Sequence, residues 1–181
     1  TVIHKSGGGG HTIAISVTST DEVTLDADVV GATATSSAGV NTIVNASTSG
    51  AVVTLIGNTG NDTLTGGTAN DLITAGSGVD SINGGNGDDT IKFTFADFTA
   101  DDSVEGGAGT NVLNLTTAGA VTDALFDNKA NTETLKLTGA SSAVIDTKAD
   151  TAGVVTIETG AGATTVNNVQ VSAKTINANA M

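Results

Sequence analysis

Between Gly57 and Asn114 an acidic or amide side chain returns at a fixed place in successive nonapeptides. They read GNTGNDTLT (57–65), GGTANDLIT (66–74), AGSGVDSIN (75–83) and GGNGDDTIK (84–92). Four extra residues, Phe93-Thr94-Phe95-Ala96, interrupt the register, which resumes as DFTADDSVE (97–105) and GGAGTNVLN (106–114). Position six holds Asp62, Asp71, Asp80, Asp89, Asp102 and Asn111; position eight holds Leu64, Ile73, Ile82, Ile91, Val104 and Leu113. A single Asp beside glycine is ordinarily an Asx-turn. Five in register are a set of hard oxygen donors at regular spacing, which is the chemistry of cation ligation.

Each nonapeptide must do two things to position those donors. Its first six residues make a turn, with glycines where the backbone takes positive φ or approaches an ion closely. Its last three make a short strand whose position-eight aliphatic points inward. Successive strands alternate between two sheets, so repeats n and n+2 stack on one edge. Their position-six carboxylates then lie one rung apart, about 4.8 Å along the stack. Like charges at that spacing repel, and a cation between them resolves the repulsion. Oxygen-only ligands, many of them carbonyls, favour Ca²⁺ over zinc or copper.

The repeats resemble the repeats-in-toxin (RTX) family, whose consensus is Gly-Gly-x-Gly-x-Asp-x-aliphatic-x. That resemblance implies sites built from the carbonyls of positions two and four in one turn, positions one and three two turns later, and both Asp side chains. Carried over, the first site would use Asn58, Gly60, Asp62, Ala75, Ser77 and Asp80, and the second Gly67, Ala69, Asp71, Gly84, Asn86 and Asp89. The third would use Gly76, Gly78, Asp80, Asp97, Thr99 and Asp102, and the fourth Gly85, Gly87, Asp89, Gly106, Ala108 and Asn111. The third spans the insertion and has Asp97-Phe98 in place of paired glycines. The fourth has Asn111 for Asp. The first two therefore match the pattern best, and Asp88 and Asp101, at position five, add field.

The rest of the chain fits an all-β, elongated parallel β-roll or β-solenoid with one short helical interruption. Its 181 residues include 24 Gly, no Pro, no Cys, no Trp, no Tyr and four Phe. Val, Ile and Ala supply most of the apolar mass, which suits narrow layers renewed in every coil. Strand-like alternation marks 11–18 and 22–30, and degraded rungs end in Asn41-Thr42-Ile43 and Val53-Thr54-Leu55. Ser6-Gly7-Gly8-Gly9-Gly10 reads as a turn and not as a nucleotide cradle. Thr122–Ala130 predicts a helix capped by Thr122, with Leu125 and Phe126 packed on the stack. Beyond it, Leu135/Leu137, Val144/Ile145, Val155/Ile157, Val166 and Ile176 predict further rungs. The expected divisions are 1–47 (N-terminal strands and degenerate rungs), 48–118 (calcium-binding roll), 119–131 (helix) and 132–181 (further rungs), within one elongated domain of a larger protein.

Charge and composition narrow the function. The formal net charge of −13 leaves no basic footprint for nucleic acid, and no run of apolar residues is long enough for membrane insertion by a helix. The absence of Cys excludes disulfide and thiolate chemistry. His4 and His11 fit no common zinc pattern, and there is no Gly-x-Ser-x-Gly elbow, so the chain is expected not to be an enzyme. The segment 131–139 (NTETLKLTG) and the Thr-, Ala-, Asn- and Gly-rich, Cys-free habit resemble calcium-dependent surface-layer (S-layer) proteins of Gram-negative bacteria. What the resemblances imply is a structural module secreted through a type I channel to the extracellular cell surface. It would be ordered there by several Ca²⁺ ions, self-associate into a lattice and meet surface polysaccharide through other domains. The alternatives are a carrier module of a secreted enzyme or toxin, or a segment of a large adhesin.

Overall fold

The computed structural model describes residues 2–4, 14–17, 22–25, 32–36, 38–139, 142–160, 165–168 and 175–178. Ser6–Gly10 and His11 lie outside the described residues. Short strands, most of three or four residues, coil into a parallel solenoid. One seven-stranded sheet stacks β1 (Val2–His4), β3 (Glu22–Leu25), β5 (Ile43–Asn45), β7 (Thr63–Thr65), β9 (Ser81–Asn83), β11 (Ser103–Glu105) and β14 (Lys129–Ala130). A nine-stranded sheet stacks β2 (Ala14–Val17), β4 (Ala32–Ser36), β6 (Val53–Ile56), β8 (Leu72–Thr74), β10 (Thr90–Phe93), β12 (Val112–Leu115), β15 (Thr134–Leu137), β17 (Thr156–Thr159) and β19 (Thr175–Ala178). Repeats n and n+2 therefore do share an edge, and the degraded upstream rungs join the same ladders as the nonapeptides.

Each strand is too short to be stable alone; its order comes from the rungs on either side. Inward side chains alternate with outward ones, and Leu64, Ile82 and Val104 form one buried file while Leu55, Ile73, Ile91, Leu113 and Leu135 form the other. Registration is set by this period of two, because a slip of one residue would turn every aliphatic outward.

The insertion is absorbed without breaking the stack. Column residues 18 positions apart in the regular coils become 22 apart across it. The surplus chain turns at Thr94–Asp97 and sends Phe98 into the core, where it meets Phe93 and Phe126 edge-to-face at 5.4 and 5.8 Å. Three of the four Phe are thus buried fillers at one level of the roll. Beside them Lys129 occupies a position in register with the aliphatic Val104. Its stem is buried and its ammonium lies 5.2 Å from the Phe98 ring centroid.

Over Thr122–Ala130 the structure departs from the expected helix. Only Asp123–Phe126 coil, as a single 3-10 turn without a side-chain cap from Thr122; β13 (Ala120–Thr122) precedes it and β14 follows. The segment instead ends β13 at Thr122, turns once, and supplies β14, whose backbone pairs with β11. An α-helix forms elsewhere: α1 (Thr147–Thr151) has its first N–H groups covered by the Asp123 carboxylate, which accepts from Asp146, Lys148 and Ala149. Burial alone would raise the Asp123 pKa, but those N–H donors and the Lys148 charge outweigh it and the pKa is lowered. A third sheet, β13, β16 (Ser142–Ile145) and β18 (Thr165–Asn168), opens beyond the repeats and gives the later coils an extra face. Among the described residues no helix is long and apolar enough to cross a membrane.

Phe98→Ala should lower unfolding free energy by about 3–5 kcal/mol, as expected for emptying a buried ring site. Urea unfolding in saturating calcium would measure it; a loss below about 1 kcal/mol would mean that the ring does not fill the coil.

Candidate metal centre

The turns preceding β7, β9 and β11 lie on one edge of the roll, and those preceding β8, β10 and β12 on the other. On the first edge the column residues are Thr42, Asp62, Asp80, Asp102 and Asp127; on the second they are Val53, Asp71, Asp89, Asn111 and Glu133. All five position-six Asp residues and Asn111 are buried. Each reaches back one rung. Asp62 N–H donates to Asp80 Oδ1 at 2.8 Å, Asp71 N–H to Asp89 Oδ1 at 2.7 Å, and Asp80 N–H to Asp102 Oδ1 at 2.9 Å. Uncharged rungs precede the repeats, and there Thr42 N–H donates to Asp62 and Val53 N–H to Asp71.

With Oδ1 committed to backbone, the second oxygen faces the gap between turns. Oδ2 of Asp62, Asp80 and Asp89 is buried and has no hydrogen-bond partner. An orphaned carboxylate oxygen in that position is costly unless a cation or proton meets it. The glycines leave room for one. A Cβ on Gly84 would lie 2.3 Å from Gly106 O and 2.4 Å from Asp89 Oδ2, so the hydrogen of glycine keeps open a hollow with a carbonyl on one side and a carboxylate on the other. Among the described residues no three acidic or imidazole side chains converge. Main-chain carbonyls of the facing turns, Ala75 O and Gly106 O among them, border the hollows and with the carboxylates make a hard-oxygen set that fits Ca²⁺.

The four ligand sets differ in how completely they assemble. In the first, Ser77 N–H donates to Asn58 O at 2.7 Å and Gly60 N–H to Ser77 O at 2.9 Å, which zips the two turns together beside Asp62 and Asp80. The fourth has the same pair, Ala108 N–H to Gly85 O and Gly87 N–H to Ala108 O, beside Asp89 and Asn111. In the second, Asn86 N–H donates to Gly67 O, but Asp71 Oδ2 accepts the Gly67 N–H and is not orphaned. Carbonyls in these ladders keep a second lone pair for an ion. The third set is different. Asp80 and Asp102 pair in the column, yet Asp102 Oδ2 accepts from Thr99 N–H and Oγ1, and the Asp97 carboxylate from Thr94 Oγ1. No zipper between Gly76–Gly78 and Asp97–Thr99 forms among the described residues.

Two features escape a reading of the repeat alone. Glu133, outside the nonapeptides, falls in the second column and its Oε2 accepts the Asn111 N–H at 2.7 Å. Its longer side chain does what Asp does elsewhere, and the only sequence signal was its distance of 22 residues from Asn111. Position five also forms an outer ladder: Asn61 Oδ1 accepts Val79 N–H, Asn70 Oδ1 accepts Asp88 N–H, and Asp88 Oδ1 accepts Thr110 N–H. Asp88 therefore ties two turns together as well as contributing charge.

Electrostatics point the same way. Burial, then the charges of Asp62, Asp102 and Asp97, pushes Asp80 up to about 6 against the relief from the Asp62 N–H. Burial, with Asp71 and Asp88, pushes Asp89 up to about 6 against the relief from the Asp71 N–H. Burial also raises Asp62 and Asp71. The ion-free columns thus resist ionisation.

Parallel coils with oxygen-lined hollows between same-edge turns define a cation-binding β-roll. The sequence profile of the RTX calcium-binding nonapeptide repeat matches residues 56–91 and 99–115, in four copies. These are RTX repeats, the solenoid they build is an RTX β-roll, and the cofactor of such repeats is structural Ca²⁺. No curated protein and no solved structure matches the chain.

Because folding raises these Asp pKa values, their contribution to stability is full below about pH 4 and lost as pH rises through about 6. In EDTA the melting temperature should therefore fall between pH 4.5 and 7.5. With calcium, which binds the ionised form, it should rise over the same range; parallel slopes in the two conditions would contradict the ion-binding role. Gly84→Ala should remove the ion between Asp89 and Asn111, read as one fewer calcium per chain by native mass spectrometry. An unchanged count would place no ion in that hollow.

Proposed function

We propose that this chain is a calcium-stabilised structural module of a secreted bacterial surface-layer protein, which folds outside the cell and self-associates there into a lattice. The reading is carried by the buried, unpartnered Oδ2 atoms of Asp62, Asp80 and Asp89. A column that holds such atoms is poorly stable without a cation and firm with one, so binding energy becomes folding energy. Calcium modules of the exterior bind at roughly 10⁻⁴ to 10⁻³ M, a range in which the roll stays loose in a calcium-poor cytosol and sets after export. The ligands are those of the four sets above, with the first and fourth the most completely assembled and the third altered by the Thr99–Asp102 contact.

The surface-layer assignment rests on segment 131–139, which has a definite place in the fold. Asn131 turns with φ of 51°, Glu133 extends the acidic column, Leu135 and Leu137 carry the buried file onward, and Thr138 Oγ1 donates to Asn114 Oδ1. It is the joint between the nonapeptides and the longer coils. Exposed apolar side chains on the outer faces, Val52, Val79 and Val155 among them, suit side-by-side packing of acidic subunits once calcium has reduced their repulsion. Surface polysaccharide would be met by other domains.

Negative-stain electron microscopy in EDTA and then in millimolar calcium tests this. Sheets, tubes or regular fibres that appear only with calcium are expected. Discrete compact particles in calcium would favour a carrier or adhesin module, and a chain equally folded in both conditions would remove calcium from its folding.

A further inference from the structure

The second edge does not stop at Asn111. Glu133 stands in register one rung on, and its carboxylate takes the Asn111 N–H as each Asp takes the N–H of its neighbour. The same glycine hollow is present. A Cβ on Gly106 would lie 1.7 Å from Asn131 O and 2.8 Å from Asn111 Nδ2, matching Gly57, where it would lie 1.9 Å from Ala75 O and 2.7 Å from Asp62 Oδ2. The backbone also zips at this level, with Gly106 N–H donating to Ala130 O. One atom differs: a nitrogen stands where the other steps have a carboxylate oxygen.

We infer that Asn111 ends the ion ladder, and that the step between Asn111 and Glu133 is a latent calcium site held shut by the Asn111 amide. Its orientation follows from its neighbours. Asp89 N–H needs an acceptor and takes Asn111 Oδ1 at 2.9 Å, which leaves Nδ2 facing the gap. There Nδ2 donates to Asn131 O at 3.1 Å and to Gly107 O at 3.4 Å, the carbonyls that correspond to position one of the upper turn and position two of the lower. An amide N–H₂ aimed at two carbonyls fills their lone pairs and leaves no space or charge for a cation. The residue is buried, so water does not compete.

The first edge also ends on nitrogen. Asp127 falls in register with Asp102, but its carboxylate pairs outward with Lys148. From inside, Lys129 Nζ donates to Thr99 O at 2.9 Å, Asp102 O at 2.6 Å and Asp127 O at 2.8 Å. Carbonyls at the end of each column are thus satisfied by donors of the chain itself, and the coils beyond continue without the nonapeptide.

The inference rests on the calcium reading of the ladder, and ions counted per chain by native mass spectrometry in saturating calcium separate the two. Asn111→Asp should bind one ion more than the wild type, and Asn111→Asp combined with Glu133→Ala, which removes the upper oxygen altogether, should return to the wild-type count. An unchanged count for Asn111→Asp, or an added ion indifferent to Glu133→Ala, would overturn the inference while leaving the ladder intact. A wild-type chain that binds no calcium would overturn the ladder and this inference with it. Should Asn111→Asp not fold, NMR of the calcium-loaded wild type decides: the Asn111 side-chain amide protons should exchange far more slowly than those of exposed Asn61, and equally fast exchange would refute the closed step.

Discussion

Every position-six side chain from Asp62 to Asn111 accepts the backbone N–H of the column residue one rung earlier, and the rest of the roll follows from that bond. It satisfies a buried donor that the turn leaves outside the strand ladder. It also sets the height between turns and leaves the other carboxylate oxygen facing inward. Oδ2 of Asp62, Asp80 and Asp89 is left without a partner, whereas Oδ2 of Asp71 and of Asp102 finds donors in its own turn. Calcium binding in this fold therefore grows out of a backbone requirement: the geometry that satisfies the main chain also turns a negative oxygen toward the hollow between turns.

Such a design couples stability to the medium. A narrow core of Val, Ile and Leu layers, with Phe93, Phe98 and Phe126 gathered at one level, gives each coil little apolar burial of its own. Neighbouring coils share their stabilisation through strand ladders, and the columns add to it or subtract from it according to the cation present. Burial raises the Asp62, Asp71, Asp80 and Asp89 pKa values, so an ion-free roll at neutral pH carries unfavourable charge along both edges. The same charge becomes an asset once a divalent ion occupies the gaps.

The solenoid manages changes of coil length at places where the columns change chemistry. Insertion of Phe93–Ala96 coincides with a turn in which Thr99 takes over the Asp102 Oδ2. The passage to the later coils coincides with Asn111, Lys129 and Glu133. In the regular repeats Oδ2 of Asp62, Asp80 and Asp89 is left open, with Asp71 the exception; at the irregular coils hydroxyl, amide and ammonium donors meet the neighbouring oxygens and carbonyls. An ion demands near-identical spacing of turns, whereas a side chain adapts to the coil it belongs to.

Period, phase and pairing partner were legible in the residues. Nine-residue spacing with Asp at six and an aliphatic at eight requires alternating turns and strands, and a period of two within each strand makes only one register bury the aliphatics. Leu135, Ile145 and Ile157 announced later rungs for the same reason. Local pattern could not settle Thr122–Ala130, where the helical look gives only a 3-10 turn before Lys129–Ala130 pairs with the rung of Val104 and Glu105. Nor could it show that Asp71 Oδ2 is capped while Asp62 Oδ2 is not, that Lys129 turns inward, or that Glu133 joins the column. Those outcomes depend on which groups from coils about 20 residues away converge on one point, and sequence distance carries that information only after the coil lengths are known.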